Sequence, residues 1–123
     1  MSATRDRFGL SAAMTLPVQT DGAIDLPRLL AHAGWCLANG CDSVTAFGTT
    51  GEGPSIGLAD RYRITGALLG AGIPGRKIVG GLAATSLDEA LAQARLALDA
   101  GCRALLLPPP YYFKGVSDDG LFA

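Results

Sequence analysis

One short segment of this sequence carries the residues best suited to bind an anion. It reads Gly48-Thr49-Thr50-Gly51-Glu52 and follows an apolar run typical of a buried strand. Its two hydroxyls and its backbone N–H groups can converge on one negative charge, and Gly48 and Gly51 can adopt positive φ angles that let a ligand approach the main chain. The segment predicts a carboxylate or phosphate site; a plain strand-to-helix turn, which also recruits glycine and threonine, is the alternative.

A second chemically capable group is the tyrosine pair Tyr111-Tyr112, which lies between a run of prolines and a glycine. A phenol that is hydrogen-bonded to a threonine hydroxyl can relay a proton. The alternative is that the tyrosines are packing aromatics whose hydroxyls reach solvent. The single histidine, His32, has no partner nearby in the sequence, so we expect it to point outward from a helix as a solvated or packing residue without a catalytic role.

Four strand-like segments position these residues, and a helix-like segment follows each. The strands are predicted at residues 8–15, 43–47, 77–81 and 104–107. We expect the first helix to be capped by Asp25, the second to cover residues 58–69, the third to follow a capping box of Ser86 and Glu89, and a fourth to begin at 117. The helices end at regularly spaced glycines, which is the pattern of a repeated βα unit: Gly40, Gly72 and Gly101.

Four successive βα units predict an α/β fold with a parallel sheet. Two architectures fit: a doubly wound sheet that is complete at about this length, and half of a (β/α)₈ barrel, which needs roughly 250 residues when whole. In both, the loops that follow the strands meet at one edge of the sheet. We therefore expect the threonine pair, Gly80-Gly81 and the tyrosine pair to share one ligand-binding face.

The composition of the 123 residues indicates one globular domain that acts on a small molecule. Apolar residues make up 49% of the chain and the formal net charge is −1, which argues against a nucleic-acid or anionic membrane surface. No stretch is long enough to span a bilayer, and the charged residues 1–10 are not followed by the unbroken apolar core of a secretory signal. The three cysteines form no Cys-x-x-Cys pair, so we expect reduced thiols, no metal site and a cytoplasmic location.

In their order and spacing, these segments resemble the dihydrodipicolinate synthase / N-acetylneuraminate lyase family. The resemblance rests on the Gly-Thr-Thr-Gly-Glu loop followed by Pro110-Tyr111-Tyr112. It extends over nearly the whole chain through shorter matches: Leu16-Pro17, Asp21-Gly22, Ile24-Asp25, Asp60-Arg61, Val79-Gly80-Gly81 and Asp88-Glu89-Ala90. Departures from the family pattern bear on substrate identity more than on the fold: Leu16, Gly57, Ala83 and Thr85.

The resemblance implies that residues 1–123 are the N-terminal half of a (β/α)₈ barrel, with four βα units that comprise strands 1–4, helices 1–3 and the start of helix 4. It implies class I aldolase chemistry without a cofactor, in which pyruvate or another 2-oxo acid forms a Schiff base with a lysine. A dihydrodipicolinate synthase-like enzyme is the first expectation. The alternatives are a keto-deoxy-sugar or sialic-acid type aldolase and a non-catalytic carboxylate-binding module.

The resemblance also implies residue roles. Thr49 and Tyr112 would be catalytic members of a proton relay, with Tyr112 reaching into a neighbouring subunit of a dimer or tetramer. Thr50, with Gly48 and Gly51, would bind the substrate carboxylate.

The family's relay tyrosine and Schiff-base lysine belong to the fifth and sixth strands, beyond residue 123. We therefore expect the 123-residue chain alone to be inactive. Lys77 lies at the start of a predicted strand, at the wrong end for the site, and Lys114 lies in a loop at a position that the family does not use for the imine, so neither takes the place of that lysine. A lysine needs desolvation or a cationic neighbour to act as a neutral amine near pH 7.

Overall fold

The computed structural model describes residues 7–123, so the expectation about a secretory signal falls partly outside the described residues. Strands and helices alternate along this part of the chain as the sequence predicts. Their bounds are β1 Ser11–Ala13, α1 Leu26–Ala38, β2 Ser43–Ala46, α2 Leu58–Gly70, β3 Ile78–Gly81, α3 Leu87–Asp99, β4 Ala104–Leu106 and α4 Asp118–Phe122. Two short 3₁₀ turns, Gly53–Ser55 and Gly75–Lys77, precede α2 and β3.

The strands are shorter than predicted because the backbone turns at their ends. Gly9 has a φ of +75°, and the N–H of Leu10 donates to the Asp42 carboxylate at 2.7 Å instead of to a neighbouring strand, so β1 begins only at Ser11. Phe47 has a φ of 65°, which ends β2 one residue before the predicted boundary. The strand signal was therefore correct in place and too long in extent.

The predicted helix caps are present. The Asp25 side chain accepts the N–H of Arg28 at 3.0 Å, and the Ser86 hydroxyl accepts the N–H of Glu89 at 3.3 Å. Each cap satisfies a backbone donor that has no partner within its own helix. The sequence therefore located the starts of α1 and α3 correctly.

The predicted glycine stops are also present. Gly40, Gly72 and Gly101 have φ angles of +104°, +88° and +74°. Glycine adopts this left-handed region without the clash of a Cβ atom. After each glycine the next N–H donates back to a carbonyl of the last helical turn, as from Cys102 to Ala97 at 3.0 Å. All three helices therefore end by the same local mechanism.

The order of the strands decides between the two architectures that the sequence left open. All neighbouring pairs are parallel and follow the chain order β1-β2-β3-β4. A doubly wound sheet reverses its strand order at a switch point, and no reversal occurs here. Right-handed crossovers in one direction place all the connecting helices on one face, where α1 packs on α2 and α2 on α3. The fold is the N-terminal half of a (β/α)₈ barrel.

The hydrophobic core lies between this helix layer and the sheet. Val44 and Ala46 of β2 pack there against buried side chains of the helices, which include Leu29, Ala33, Ile64 and Leu68. Because side chains alternate across a strand, Ser43 and Thr45 face the opposite side of the sheet. There the Thr45 hydroxyl lies 2.8 Å from the hydroxyl of Ser11 on β1. The inner face of the sheet therefore carries polar groups close to β1.

Of the two roles expected for the histidine on α1, solvated or packing, the structure shows packing. His32 does not point fully outward; it is half-buried, and its ring nitrogens lie 3.9 and 4.0 Å from the sulfur of the buried Cys36. The two residues are four positions apart and therefore share one face of the helix. The histidine packs on the edge of the core.

Candidate functional site

The loop after β2 has a defined turn that directs its peptide groups. The N–H of Glu52 donates to the carbonyl of Thr49, and the N–H of Gly53 donates to the carbonyl of Gly48, both at 3.0 Å. In a planar trans peptide the carbonyl and the following N–H point in opposite directions. Since the carbonyls of Gly48 and Thr49 point into the turn, the N–H groups of Thr49 and Thr50 point away from it.

These outward N–H groups have no partner in the described chain. Within residues 7–123, the N–H groups of Thr49, Thr50 and Gly51 donate to no protein acceptor, and neither threonine hydroxyl forms a hydrogen bond. Both threonines are exposed to solvent. Successive free backbone donors with adjacent hydroxyls can converge on one negative charge, as in sites that hold carboxylates and phosphates. The loop is therefore equipped to bind an anion.

The predicted reason for the loop glycines is wrong. Gly48 and Gly51 do not have positive φ angles; Phe47 and Glu52 do, at 65° and 54°. Gly51 is required by packing instead, because a Cβ there would lie 2.7 Å from the carbonyl oxygen of Met14, the residue that follows β1. A glycine at this position lets the loop lie directly against the neighbouring strand.

Two further glycines pack against the peptide group of Phe47. A Cβ at Gly53 or at Gly81 would collide with the Phe47 carbonyl. Gly80 is similarly confined, since a Cβ there would lie 2.9 Å from the Cβ of Ala97 on α3. The expectation that Gly80-Gly81 forms a ligand-facing edge is therefore corrected: these glycines bring β3 against α3 and against the loop.

Arg61 holds the loop from behind, a role that its place in the Asp60-Arg61 match did not reveal. This side chain is 2% exposed and donates to three carbonyls: from Nη1 to Gly81 at 2.7 Å, from Nη2 to Gly53 at 2.8 Å and from Nε to Ile56 at 3.0 Å. Its guanidinium carbon lies 4.7 Å from the centroid of the Phe47 ring, which is a cation–π distance.

Helical spacing could have revealed this residue. Arg61 lies on the same face of α2 as Ile64, Thr65 and Leu68, all of which are buried. A charged residue on a core-facing stripe must find hydrogen-bond partners. Burial lowers the pKa of the Arg61 guanidinium, while the Glu89 carboxylate acts in the opposite direction. The side chain remains a cation, since arginine keeps its charge in proteins.

The tyrosine pair lies in the loop after β4, at the same sheet edge as the loop after β2. Tyr112 is 74% exposed and contacts the ring of Phe113 edge-on, with the centroids 5.2 Å apart. Within residues 7–123 no hydrogen bond joins Tyr112 to Thr49. The structure therefore brings the two loops to one edge of the sheet, and the relay predicted with Tyr112 of a neighbouring subunit stays a prediction.

Both lysines are exposed. Lys77 lies in the turn before β3, at the opposite sheet edge from the loop after β2, and Lys114 lies in the loop after β4. Neither is desolvated. In the described part of the chain, no group of three or more His, Cys, Asp or Glu side chains is placed to hold a metal ion. No helix among the described residues is both long and apolar enough to cross a membrane.

Comparison with known proteins matches this architecture to one family along almost the whole chain. A sequence model described as the Dihydrodipicolinate synthetase family matches residues 6–122. The 4-hydroxy-tetrahydrodipicolinate synthase of Azoarcus sp. is 33% identical over 114 residues, which cover 93% of this chain and 39% of that protein. An uncharacterized DapA-like lyase of Chloroflexus aurantiacus is 34% identical over 116 residues, 94% of this chain and 38% of that protein.

Solved structures show the same similarity. The crystal structure of dihydrodipicolinate synthase from Agrobacterium tumefaciens str. C58 superimposes with a TM-score of 0.90 at 54% identity, covering 94% of this chain and 40% of that one. KD(P)GA from T. tenax superimposes with a TM-score of 0.78 at 29% identity, covering 92% of this chain and 38% of that one. The chain spans about two fifths of the length of the relatives it matches.

Proposed function

This chain belongs to the dihydrodipicolinate synthetase family, a family of lyases and aldolases, and from that premise we propose that the complete protein forms or cleaves a carbon–carbon bond through a Schiff base of pyruvate. The observation that carries the proposal is the loop after β2, whose free N–H groups and hydroxyls suit a carboxylate. A dihydrodipicolinate synthase-like reaction is the first candidate, since the synthase from Agrobacterium tumefaciens has the higher identity and TM-score of the two solved structures described above.

In this proposal the loop binds the carboxylate of pyruvate or of another 2-oxo acid. The Thr50 hydroxyl donates a hydrogen bond to it, and the main chain between Gly48 and Gly51 donates from the N–H groups of Thr49 and Thr50. Fixing the carboxylate fixes the adjacent carbonyl, so that a lysine amine can attack it and expel water to form the imine. The exposed Lys77 and Lys114 are unsuited to that step, so a lysine outside residues 7–123 performs it.

Thr49 and Tyr112 form the proton relay of this proposal across a subunit contact. Tyr112 and Phe113 present largely exposed aromatic surface at the edge that carries the loop after β2. Aromatic side chains of this kind are enriched in protein interfaces. The complete protein is accordingly a homo-oligomer, a dimer or a tetramer, in which Tyr112 of one subunit meets Thr49 of another. The free thiols of Cys36, Cys41 and Cys102 support a cytoplasmic location for it.

A second candidate is a keto-deoxy-sugar aldolase, a reaction that also starts from the pyruvate Schiff base. The structure of the 2-keto-3-deoxygluconate aldolase of Sulfolobus solfataricus favours this alternative, because it superimposes on 92% of this chain with a TM-score of 0.79 at 26% identity. A carboxylate-binding module without catalysis is the candidate from another class. Pyruvate binding without imine formation would identify that module.

The carboxylate assignment is tested by the affinity of the complete protein for pyruvate. Thr50→Val keeps the shape of the side chain and removes a donor to a charged ligand, which should weaken binding by about 1.5–3 kcal/mol. Thr20→Val is the control, because Thr20 is an exposed threonine in a different loop. Calorimetry or fluorescence titration measures both variants. Unchanged affinity in Thr50→Val would refute the assignment.

A further inference from the structure

We propose that Arg61 is a positioning residue for the loop after β2: its guanidinium holds the loop in the conformation that keeps the N–H groups of Thr49 and Thr50 directed outward. The inference rests on the proposed carboxylate role of that loop. Arg61 itself is buried behind the loop and acts through the main chain. It determines where the donors are and does not contact the ligand.

The hydrogen bonds of Arg61 reach three separate parts of the chain. Gly53 lies in the loop, Ile56 lies between the loop and α2, and Gly81 ends β3. An arginine carries donors in a rigid planar fork, so one side chain can satisfy three carbonyls at once. The fork therefore fixes the end of the loop relative to the sheet and to the helix that follows.

The charge of Arg61 needs a reason beyond packing. Among residues 7–123 no carboxylate lies within ion-pair distance of it, and the neighbouring buried positions on α2 hold Ile64 and Leu68. An apolar side chain would fill such a position without the penalty of burying a cation. What arginine adds here is the set of bonds to the loop and to β3.

Arg61 also stabilises the sharp turn at the start of the loop. Phe47 has a positive φ, which is unfavourable for a bulky side chain. The guanidinium lies over its ring, while Gly53 and Gly81 enclose its carbonyl group. Two of the three carbonyls that Arg61 holds are those of the same glycines. Releasing the guanidinium would therefore loosen both sides of the Phe47 peptide together.

The test is Arg61→Lys in the complete protein, with two readouts. Lysine keeps the positive charge, but its donors all lie on one nitrogen. It therefore cannot reproduce the planar fork of the guanidinium and cannot hydrogen-bond all three carbonyls. We expect the dissociation constant for pyruvate to rise about tenfold. We also expect hydrogen exchange at the Gly53 and Ile56 amides, which close the turns of the loop, to become about tenfold faster in the variant than in the unmodified protein. Exchange at the Leu68 amide in α2 is the internal reference and should not change.

Two matched variants on the same helix serve as controls. Arg63→Lys changes an exposed arginine that pairs with Asp60 at 3.3 Å, and it should alter neither readout. Thr65→Ala changes a buried residue that lies one helical turn beyond Arg61. Unlike Arg61, Thr65 does not hydrogen-bond a carbonyl of the loop. This variant therefore distinguishes a general loss of stability from a displacement of the loop. Thr65→Ala should leave pyruvate affinity unchanged.

The outcomes separate this inference from the proposed function. If the unmodified protein does not bind pyruvate, the proposed function fails, and exchange at Gly53 and Ile56 alone decides the role of Arg61. If the protein binds pyruvate and the Arg61→Lys variant folds, both the dissociation constant and the exchange rates must change. An unchanged value of either one overturns the inference. If the Arg61→Lys variant does not fold, Phe47→Leu replaces it, because this substitution removes the ring beneath the guanidinium. Exchange at the Gly53 amide should then become about threefold faster. Unchanged exchange would overturn the inference.

Discussion

Gly81, the last residue of β3, lies in direct contact with the peptide group of Phe47, the residue that follows β2. A Cβ at Gly81 would approach the carbonyl carbon of Phe47 to 2.6 Å and the nitrogen of Gly48 to 2.8 Å. The atoms that it would meet belong to the backbone, which cannot move aside as a flexible side chain can. The shape of the candidate site therefore depends on a position in the next strand, far from it in sequence.

Gly81→Ala should lower the free energy of unfolding by about 1–3 kcal/mol, the usual effect of overpacking. Urea denaturation measures it. Gly66→Ala is the control, because Gly66 lies on the exposed side of α2 with no atom near its missing Cβ. Alanine there should stabilise the helix by up to about 1 kcal/mol. Equal effects of the two substitutions would contradict the close contact at Phe47.

The polar inner face of the sheet gives a contrasting pair of substitutions. Ser43 is 0% exposed and its hydroxyl has no hydrogen-bond partner among the described residues, whereas the Thr45 hydroxyl is bonded to Ser11 at 2.8 Å. Ser43→Ala removes an unsatisfied group and should be neutral or stabilising by up to about 1 kcal/mol, while Thr45→Val should destabilise by about 1–3 kcal/mol. Thermal and urea unfolding compare them; a large loss of stability in Ser43→Ala would show that its hydroxyl has a partner.

Stability should decline in alkaline solution partly because of two thiols. Burial raises the pKa of Cys36 and of Cys102 above the ordinary 9.0, and Cys41 adds to the shift at Cys36. The unfolded chain loses these protons near the ordinary pKa, and the folded chain loses them only at higher pH. The free energy of unfolding should therefore fall as pH rises through about 9 toward the raised values, and be unaffected by these groups well below that range.

The comparison that checks this is the change in unfolding free energy between pH 7 and pH 10 for the unmodified protein and for a Cys36→Ala/Cys102→Ala double variant. The double variant should lose less stability over this interval, whatever its stability at pH 7. An identical loss in both proteins would show that the thiols titrate alike in the folded and unfolded states.

The elements of this fold were readable from the sequence because local signals define them. Asp25 and Ser86 mark helix starts by side-chain capping, and Gly40, Gly72 and Gly101 mark helix ends by their positive φ angles. The composition and spacing of the loop after β2 predicted an anion site there, and the N–H groups of Thr49 and Thr50 are unpaired among the described residues, as such a site requires. The order of the strands within the sheet could not be predicted from periodicity, since both architectures repeat the same βα unit.

What the sequence could not show depends on contacts between distant segments. The positive φ angles occur at Phe47 and Glu52 and not at Gly48 and Gly51, and Gly51 is required by its close packing instead. Gly51 lies against Met14, a contact that no local pattern encodes. Arg61 was overlooked because its partners come from three segments, although its position among buried residues on α2 was a usable signal.

The central claim is that this chain supplies the carboxylate-binding side of a pyruvate Schiff-base enzyme whose lysine lies elsewhere in the protein. Its most direct test is incubation of the protein from its natural source with pyruvate and borohydride, followed by intact-mass measurement and peptide mapping. The account predicts a species far heavier than 12.6 kDa that carries one reduced pyruvate adduct, on a lysine outside residues 1–123. An adduct on Lys77 or Lys114, or a 12.6 kDa species without any adduct, would contradict it.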